Sequence, residues 1–388
     1  MFQALFNSLS GLFSFSRGLN TISNNVSNMN TPGFRGSDAF FENVRGGLGS
    51  RISGEGMRTE PGDIRQTGNA TDMAVDGEGY FILRDRSGEL HYTRAGQFRF
   101  NEKGVLVDTV SDYEVMGYDG DGNLAAIDLT PMRTLPPELT SKVNFKGTLT
   151  PSMTTPYTIT SIDVFDSNGT ARRLSAVFTR TSANNMPAEF NVVIKDSTDA
   201  TIATHTLKFD TLGTPTRETN EFTAQFAFGG ATPQPVTFNF GTPGGFDGIY
   251  SFSGGSVNVT ATVADGHAIL GYNDVAFDEK GVLQLSYSAK EKRQGPRLAL
   301  ASLPNESSLK LDGGRLVSGP SVQDKELGRP GESRYGRIVG RSLELSNIDL
   351  TREFADMIII QRGYQASSRV MTVSNEMIEQ LYNSTRGS

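Results

Sequence analysis

Ile22-Ser23-Asn24-Asn25-Val26-Ser27-Asn28-Met29-Asn30-Thr31-Pro32-Gly33-Phe34-Arg35 lies near one end of the chain. Glu353-Phe354-Ala355-Asp356-Met357-Ile358-Ile359-Ile360-Gln361-Arg362-Gly363-Tyr364-Gln365-Ala366 lies near the other. Around the first, the apolar positions Phe15, Leu19, Ile22, Val26 and Met29 follow a 4-3-4-3 spacing. Around the second, Leu350, Phe354, Met357, Tyr364, Met371 and Ile378 fall on one register of about 3.5 residues. Such a repeat keeps one stripe of a helix turned toward a partner helix. Neither segment has a partner nearby in sequence. They therefore pair with each other, or with the same helices in neighbouring copies, and the second arrangement implies a polymer. An apolar heptad stripe is more often domain core than docking face. Here the stripes lie beyond the β-type segments at both ends, where a short helix has little domain of its own to pack on. That favours packing between copies.

Working outward, the spacing predicts helix over residues 1–30, with Gly11 and Gly18 each costing about 1 kcal/mol relative to Ala. Asn30-Thr31-Pro32-Gly33 ends it, because Pro turns the preceding residue away from the α region. The first 37 residues hold no acid and only Arg17 and Arg35 as charges. Such a segment makes a poor solvated helix and reads as one buried in an assembly, or disordered when alone. Asp349 is a candidate N-cap for a last helix running to about Asn383. Gly363 inside it is tolerable if another helix packs closely there.

Between the helices the period changes to two. Gly79–Leu83, Leu90–Thr93, Gln97–Phe100 and Val105–Val107 read as strands, with turns at Asp85–Gly88 and Asn101–Gly104. Asn101-Glu102-Lys103-Gly104-Val105-Leu106 recurs as Asp278-Glu279-Lys280-Gly281-Val282-Leu283, either by chance or because both flanks belong to one β domain. Residues 146–264 differ in composition: rich in Thr and aromatics, with no Lys or Arg after Arg217. Alternation at Ile162/Val164, Phe222/Ala224/Phe226/Phe228, Val236/Phe238/Phe240 and Val257/Val259/Ala261/Val263 predicts a sandwich or barrel. Turns are expected at Asn168-Gly169, Gly229-Gly230 and Gly244-Gly245. The expected class is mainly β with terminal α-helices: coiled-coil-like helices plus two antiparallel β domains, the outer inserted in the inner. The expected boundaries are 1–30 and 343–388 for the helices, and 31–72 and 314–342 for irregular Gly-rich connectors. The inner β domain takes 73–145 and 265–313 (extending to about 340), and the outer 146–264.

Composition narrows function. The 388 residues allow two or three domains, and a net charge of -7 without a basic block disfavours nucleic acid. The absence of cysteine excludes disulfides and thiolate chemistry. Phe2, Leu5, Phe6, Leu9, Leu12 and Phe13 imitate a signal peptide, but no Lys or Arg precedes them and Asn and Ser interrupt them. Neither a Sec signal nor a membrane span is expected. His91, His205 and His267 lack metal-type neighbours and read as ordinary half-buried histidines. Asp119-Gly120-Asp121-Gly122-Asn123 opens like a calcium loop but continues with Leu124 and Thr130 where Gly and Glu belong, so a β-turn is expected. No Gly-Lys dipeptide, dinucleotide fingerprint or Gly-x-Ser-x-Gly elbow occurs. No catalytic, cofactor or metal site is expected.

The two quoted stretches closely resemble the N- and C-terminal signatures of bacterial flagellar rod and hook proteins. Asn24, Asn25, Asn28, Thr31, Gly33, Phe34, Gln361, Arg362 and Tyr364 carry the match. Asp76-Gly77-Glu78-Gly79-Tyr80-Phe81 and Tyr92-Thr93-Arg94-Ala95-Gly96-Gln97-Phe98 resemble the family's β-domain segments. The resemblance implies a tubular homopolymer, with helices inside, the inner β domain around them and 146–264 outermost. It also implies export by the flagellar type III apparatus, and as partners the rod, the hook cap and the hook–filament junction proteins. Length and the outer domain point to a torque-transmitting hook subunit. Thr31-Pro32-Gly33-Phe34 resembles rod-type wording, and the Phe-rich opening departs from hook patterns, so an enlarged rod protein stays open. Leu19, Ile22, Val26 and Met29 are expected to pack on Leu350, Phe354, Met357 and Tyr364 of the same or adjacent copies. The Gly-rich connectors are expected to let the β layers shift.

Overall fold

The computed structural model describes residues 2–44, 49–181, 187–227, 233–304, 306, 309–318 and 322–386. Phe228 and Gly229-Gly230 of the expected strand and turn lie outside them. The chain divides into one unit of Met1–Arg133 with Tyr272–Ser388 and a second of Thr134–Gly271. The division falls several residues outside the 146–264 drawn from composition, because Thr134–Leu135 pairs with Leu270–Gly271 and closes the insertion.

The first unit begins with α1 (Phe2–Ser27) and ends with α2 (Leu350–Arg386). The Asp349 carboxylate accepts the Thr351 N–H at 2.8 Å, starting α2. Between them, strands from both sides of the insertion interleave in one sheet. Its order is Asp274–Phe277, Val282–Ser286, Lys292–Leu298, Glu114–Tyr118, Tyr80–Arg84, Leu90–Thr93, Leu316–Ser318 and Lys310–Asp312. Tyr80, Ile82 and Tyr92 are buried on it against Met116, Ala299, Ala301 and Leu303.

The two connectors are not irregular. Residues 37–57 form an antiparallel hairpin of β1 (Ser37–Asn43) and β2 (Ser50–Met57). Ile64–Gln66 pairs with Ser342–Glu344, and Met73–Asp76 with Arg337–Gly340. Strands of three or four residues are too short for alternation to register, and each finds its partner more than 260 positions away. Glycine content therefore disguised paired backbone as linker.

Among its described residues the second unit holds two sheets besides that closing pair. Tyr157–Phe165, Ala171–Arg180, Glu189–Lys195 and Thr201–Lys208 form an antiparallel meander. Lys142–Leu149 anchors the other sheet, antiparallel to Asn258–Val263 but parallel to Gln234–Asn239 and Ile249–Ser251. The parallel pairs depart from the wholly antiparallel expectation. The meander intervenes between Leu149 and Gln234, which provides the long crossover that parallel pairing requires. Phe145, Phe178 and Phe240 meet in the shared core, Phe145 and Phe240 stacked at 5.1 Å.

One turn recurs in both units. It is led by Asp85, Asn101, Asp119, Asp166, Asp196, Asp210 and Asp278. In each, one side-chain oxygen accepts the N–H groups two and four residues on at 2.8–3.0 Å. The residue three after the leader has φ between 66 and 92° and is glycine in all but the Asp199 copy. The calcium-like Asp119 segment is one of these turns, its carboxylate engaged by backbone. The Ser87 hydroxyl, then the His91 ring and the turn amides, outweigh burial and hold the Asp85 carboxyl down to about 2. The Asn123 amide lowers Asp119, and the Thr198 hydroxyl lowers Asp196. At Asp166 and Asp210 burial pushes the carboxyl up, and the amides of Thr170 and Thr214 outweigh it.

Folding depresses these pKa values. The contribution of each is thus fully present above the ordinary aspartate value of about 4 and is lost as pH falls below it; for Asp85 the loss runs through about 2. The Asn101 copy makes the same bonds without titrating. Asp85→Asn should therefore leave the melting temperature near neutrality unchanged and flatten its fall in acid. An unaltered acid profile would contradict this account.

Candidate functional site

The helices α1 and α2 run antiparallel in one register. Gly11, Gly18 and Asn25, seven residues apart on α1, meet Ser367, Ile360 and Glu353, seven apart in the reverse sense on α2. A Cβ on Gly11 would lie 2.9 Å from the Ser367 Oγ, and one on Gly18 2.9 Å from the Ile360 Cδ1. A Cβ on Gly363 would lie 2.6–2.9 Å from three carbons of the Phe15 ring. The three glycines permit this close approach. The row of α1 that faces α2 is thus Ser8, Gly11, Phe15, Gly18, Ile22 and Asn25, a 3-4-3-4-3 spacing in which Phe15 is partly buried and the others are buried.

Only part of the apolar stripe read from sequence lies in this seam. Phe15 and Ile22 on α1, and Leu350, Met357, Met371 and Ile378 on α2, are buried or partly buried. Leu19 and Val26 are partly buried and Met29 is exposed, because Gly18 and Asn25 hold the second row instead. On α2 that row is Glu353, Ile360, Ser367 and Ser374, leaving Phe354 50% and Tyr364 46% exposed. Hydropathy favours the large neighbour, whereas close helix approach selects the small or hydrogen-bonding one.

A buried ionic clamp closes the seam. Glu353 is fully buried, its carboxylate 2.7 Å from the Arg58 guanidinium at the base of β2. It also accepts the Asn25 side-chain N–H at 3.1 Å. Asn25 in turn donates to the Ser37 carbonyl at 2.9 Å and accepts the Ser37 N–H at 3.0 Å, holding β1 as another strand would. Arg58 reaches Asp38 at 2.7 Å as well. Burial alone pushes the Arg58 guanidinium down, but its bonds to Asp38 and Glu353 outweigh that and hold it above its ordinary value.

A second cluster continues into the β sheet. The Glu344 carboxylate lies 2.9 Å from Arg94 and 3.8 Å from Arg35, and Arg35 pairs with Glu306 at 3.1 Å. The Tyr80 ring centroid lies 5.8 Å from the Arg35 guanidinium and 5.7 Å from that of Arg94. Burial pushes the Tyr80 phenol well up and the Arg94 guanidinium down.

The signature residues distribute around this clamp. Gly33 (φ 70°) donates its N–H to the Glu344 carbonyl at 2.8 Å. A Cβ there would fall 2.5 Å from the Ala95 backbone nitrogen. Phe34 is buried, and Thr31 donates to Asn28, which donates to Asn24. Gln361 and Arg362 are exposed on α2. The clamp charges themselves escaped sequence reasoning. Their signal was lone charges inside otherwise apolar or small-residue segments, such as Arg35 in a stretch without acids.

His91 differs from its reading, since Asp85 lies 3.3 Å from its Nε2. Among the described residues, donors of Asp85, Glu89 and His91 lie within 4.8 Å of one another, but the other Asp85 oxygen serves the turn. His205 stacks on Phe222 at 4.5 Å, and His267 contacts the Ala268 carbonyl. No described helix is long and apolar enough to cross a membrane.

Comparison with known proteins matches four segments of the chain in order. Residues 5–35 match the family described as flagella basal body rod protein, and 74–170 the flagellar hook protein FlgE/F/G D1 domain. Residues 138–267 match the flagellar basal body protein FlaE D2 domain, and 339–384 the flagellar basal body rod FlgEFG protein C-terminal. The chain belongs to the flagellar hook and rod protein family. Among relatives of this hook–rod chain, the flagellar hook protein FlgE of Escherichia coli (strain K12) is 28% identical, over 98% of this chain and 100% of that one. FlgE of Rhizobium meliloti (strain 1021) is 29% identical, over 97% of this chain and 98% of the other. The crystal structure of Helicobacter pylori flagellar hook protein FlgE2 overlays with a TM-score of 0.48 at 15% identity, covering 74% of this chain and 100% of that chain.

Two substitutions test the site of this hook–rod chain. Gly363→Ala would favour an isolated helix by about 1 kcal/mol. Against the Phe15 ring the sign should reverse, with faster amide exchange across α2. Slower exchange would show that the seam is looser than described. Glu353→Gln leaves Arg58 short of a charge partner and should destabilise the first unit by about 3–5 kcal/mol in urea unfolding. Adding Arg58→Met should recover part of the loss. A double variant as weak as the sum of the singles would mean that the two residues act independently.

Proposed function

We propose that this chain is a structural subunit of the flagellar hook, polymerising into a hollow, bendable tube that carries torque from rod to filament. One observation carries the reading beyond family membership. The seam within one chain gives many of its positions to small and polar residues, while several large apolar ones are left outside it. Phe6 and Phe13 on α1, and Phe354, Ile358, Ile359 and Tyr364 on α2, are about half exposed or more. A helix pair with such a surface needs further helices around it, and identical copies supply them. Each large side chain so buried contributes about 1.5–3 kcal/mol. Leu19, Val26, Met29, Phe354 and Tyr364 then act between copies, whereas Ile22, Leu350 and Met357 hold the seam within one.

In this reading the polymer lies outside the cell, is exported through the flagellar type III apparatus and joins rod, cap and junction proteins at its ends. No catalytic role is proposed. Whole-chain relatives named as hook proteins favour the hook over an enlarged rod subunit. The 34–72 and 314–342 segments are strand-paired and ion-clamped, so we place the sliding that permits bending between copies, not in loose connectors.

Immunogold microscopy of isolated hook–basal bodies, with antibodies to residues 134–271, tests the assignment. Label is expected on the short curved segment, and label confined to the rod would overturn it. In vitro, Phe354→Glu should abolish polymerisation without lowering the monomer's melting temperature.

A further inference from the structure

The turn that joins Tyr80–Arg84 to Leu90–Thr93 gathers three side chains able to ligate a metal. Asp85 and Glu89 face each other across it, the Asp85 N–H donating to the Glu89 carbonyl at 3.0 Å. Glu89 and His91 stand two apart in extended chain and so share one side of the hairpin. Leu83, two before Asp85, pairs with His91 and with Val115, and Tyr113 lies two before Val115. Asp85, Glu89, His91 and Tyr113 therefore fall on the same side. The donor atoms of the first three lie within 4.8 Å of one another. The neighbouring cation Arg84 pairs with Leu90 on the other side of the hairpin, where Glu114 holds it at 2.6 Å.

Two of the three groups are already positioned. One Asp85 oxygen accepts the N–H groups of Ser87 and Glu89, each at 2.9 Å, and the Ser87 hydroxyl at 2.7 Å. That leaves Oδ2, which lies 3.3 Å from His91 Nε2. The His91 ring is stacked on Tyr113, with 4.9 Å between centroids and 23° between planes. A charge-assisted N–H···O bond is about 2.7–2.9 Å long, so this pair is wide for one. A tetrahedral zinc ion, with bonds of about 2.0 Å to histidine nitrogen and carboxylate oxygen, separates neighbouring ligand atoms by about 3.3 Å. Glu89 is exposed and reaches the same point by a change of rotamer. Asp85 also borders an open cavity of about 560 Å³, which gives an ion its way in.

The geometry points to a binding site for one zinc ion, held by Asp85 Oδ2, the Glu89 carboxylate and His91 Nε2, with water in the fourth position. Two carboxylates offset the charge of the ion. The imidazole nitrogen favours zinc over calcium or magnesium, which take six or more ligands, nearly all oxygen. Ser87 is a positioning residue, since its hydroxyl keeps the Asp85 carboxylate turned with Oδ2 toward His91. The bound ion ties the two strands together at the turn. Asp85 precedes His91 by six positions, and only the hairpin brings them into one coordination sphere. The site does not depend on the polymer reading.

The sequence makes the test clean, because it holds three histidines and no cysteine. Zinc chloride is titrated by calorimetry into the full-length monomer after a chelator has stripped it of metal. One equivalent is expected to bind. In the histidine-ring NMR spectrum of the same sample, the His91 signals should shift with zinc while those of His205 and His267 stay in place. Loss of an outer partner costs metal affinity about 10–100-fold. Ser87→Ala should therefore weaken binding at least about tenfold, and His91→Gln, which removes a ligand, at least about a hundredfold. Binding kept in His91→Gln, shifts at His205 or His267 in place of His91, or no stoichiometric binding overturns the inference. Calcium chloride bound as tightly as zinc overturns it as well. Should His91→Gln not fold, the NMR titration of the unsubstituted chain decides by itself.

Discussion

Glu353 has none of its surface in contact with water, and the first unit is arranged so that it does not need any. A buried carboxylate costs several kcal/mol unless it is paired and hydrogen-bonded. Here Arg58 supplies the charge, and Asn25 supplies a hydrogen bond while holding Ser37. Three segments, one of them from the opposite end of the chain, must be correctly placed at once, or a charge is stranded in the interior. This constraint selects a single register for α1, the β1–β2 hairpin and α2. A shift of one residue along either helix would carry Phe354 or Val26 into the clamp and leave Arg58 with Asp38 as its remaining partner in the clamp.

The clamp also explains how side chains are shared between the two faces of the helices. Glycine, serine and asparagine let α1 and α2 approach until Phe15 touches Gly363 and Ile360 lies on Gly18. A tight seam uses little large apolar surface. What remains, from Phe6 and Phe13 to Ile358, Ile359 and Leu381, is displayed outward. The helix pair thus has one face specified within the chain by polar contacts and another suited to other chains by apolar ones. That division matches a subunit that keeps its own shape while joining many neighbours.

The β units rely on local chemistry more than on long-range charge. One turn, led by Asp or Asn and completed by a left-handed residue, reverses the chain in both units. Its bonds are local in sequence, so each hairpin can set its own register before the sheets assemble. The second unit then buries a continuous aromatic core around Phe145, Phe178 and Phe240.

The sequence by itself determined the elements: the two terminal helices, the strands with their Asp-Gly turns, the inserted Thr- and Phe-rich unit and the family signatures. These are legible because heptad spacing, alternation and turn chemistry act over a few residues. Tertiary structure alone decided the second row of the seam, the strands hidden in the 34–72 and 314–342 segments and the parallel pairing of Lys142–Leu149. It also decided the charge clamp. Gly18 and Asn25 look like weaknesses in a helix until Ile360 and Glu353 are seen across from them. Arg58 and Glu344 look like surface charges until strand pairing buries them. Most of these depend on residues far apart in the chain, and burial of charge and close backbone approach are properties of the pair that no local pattern records.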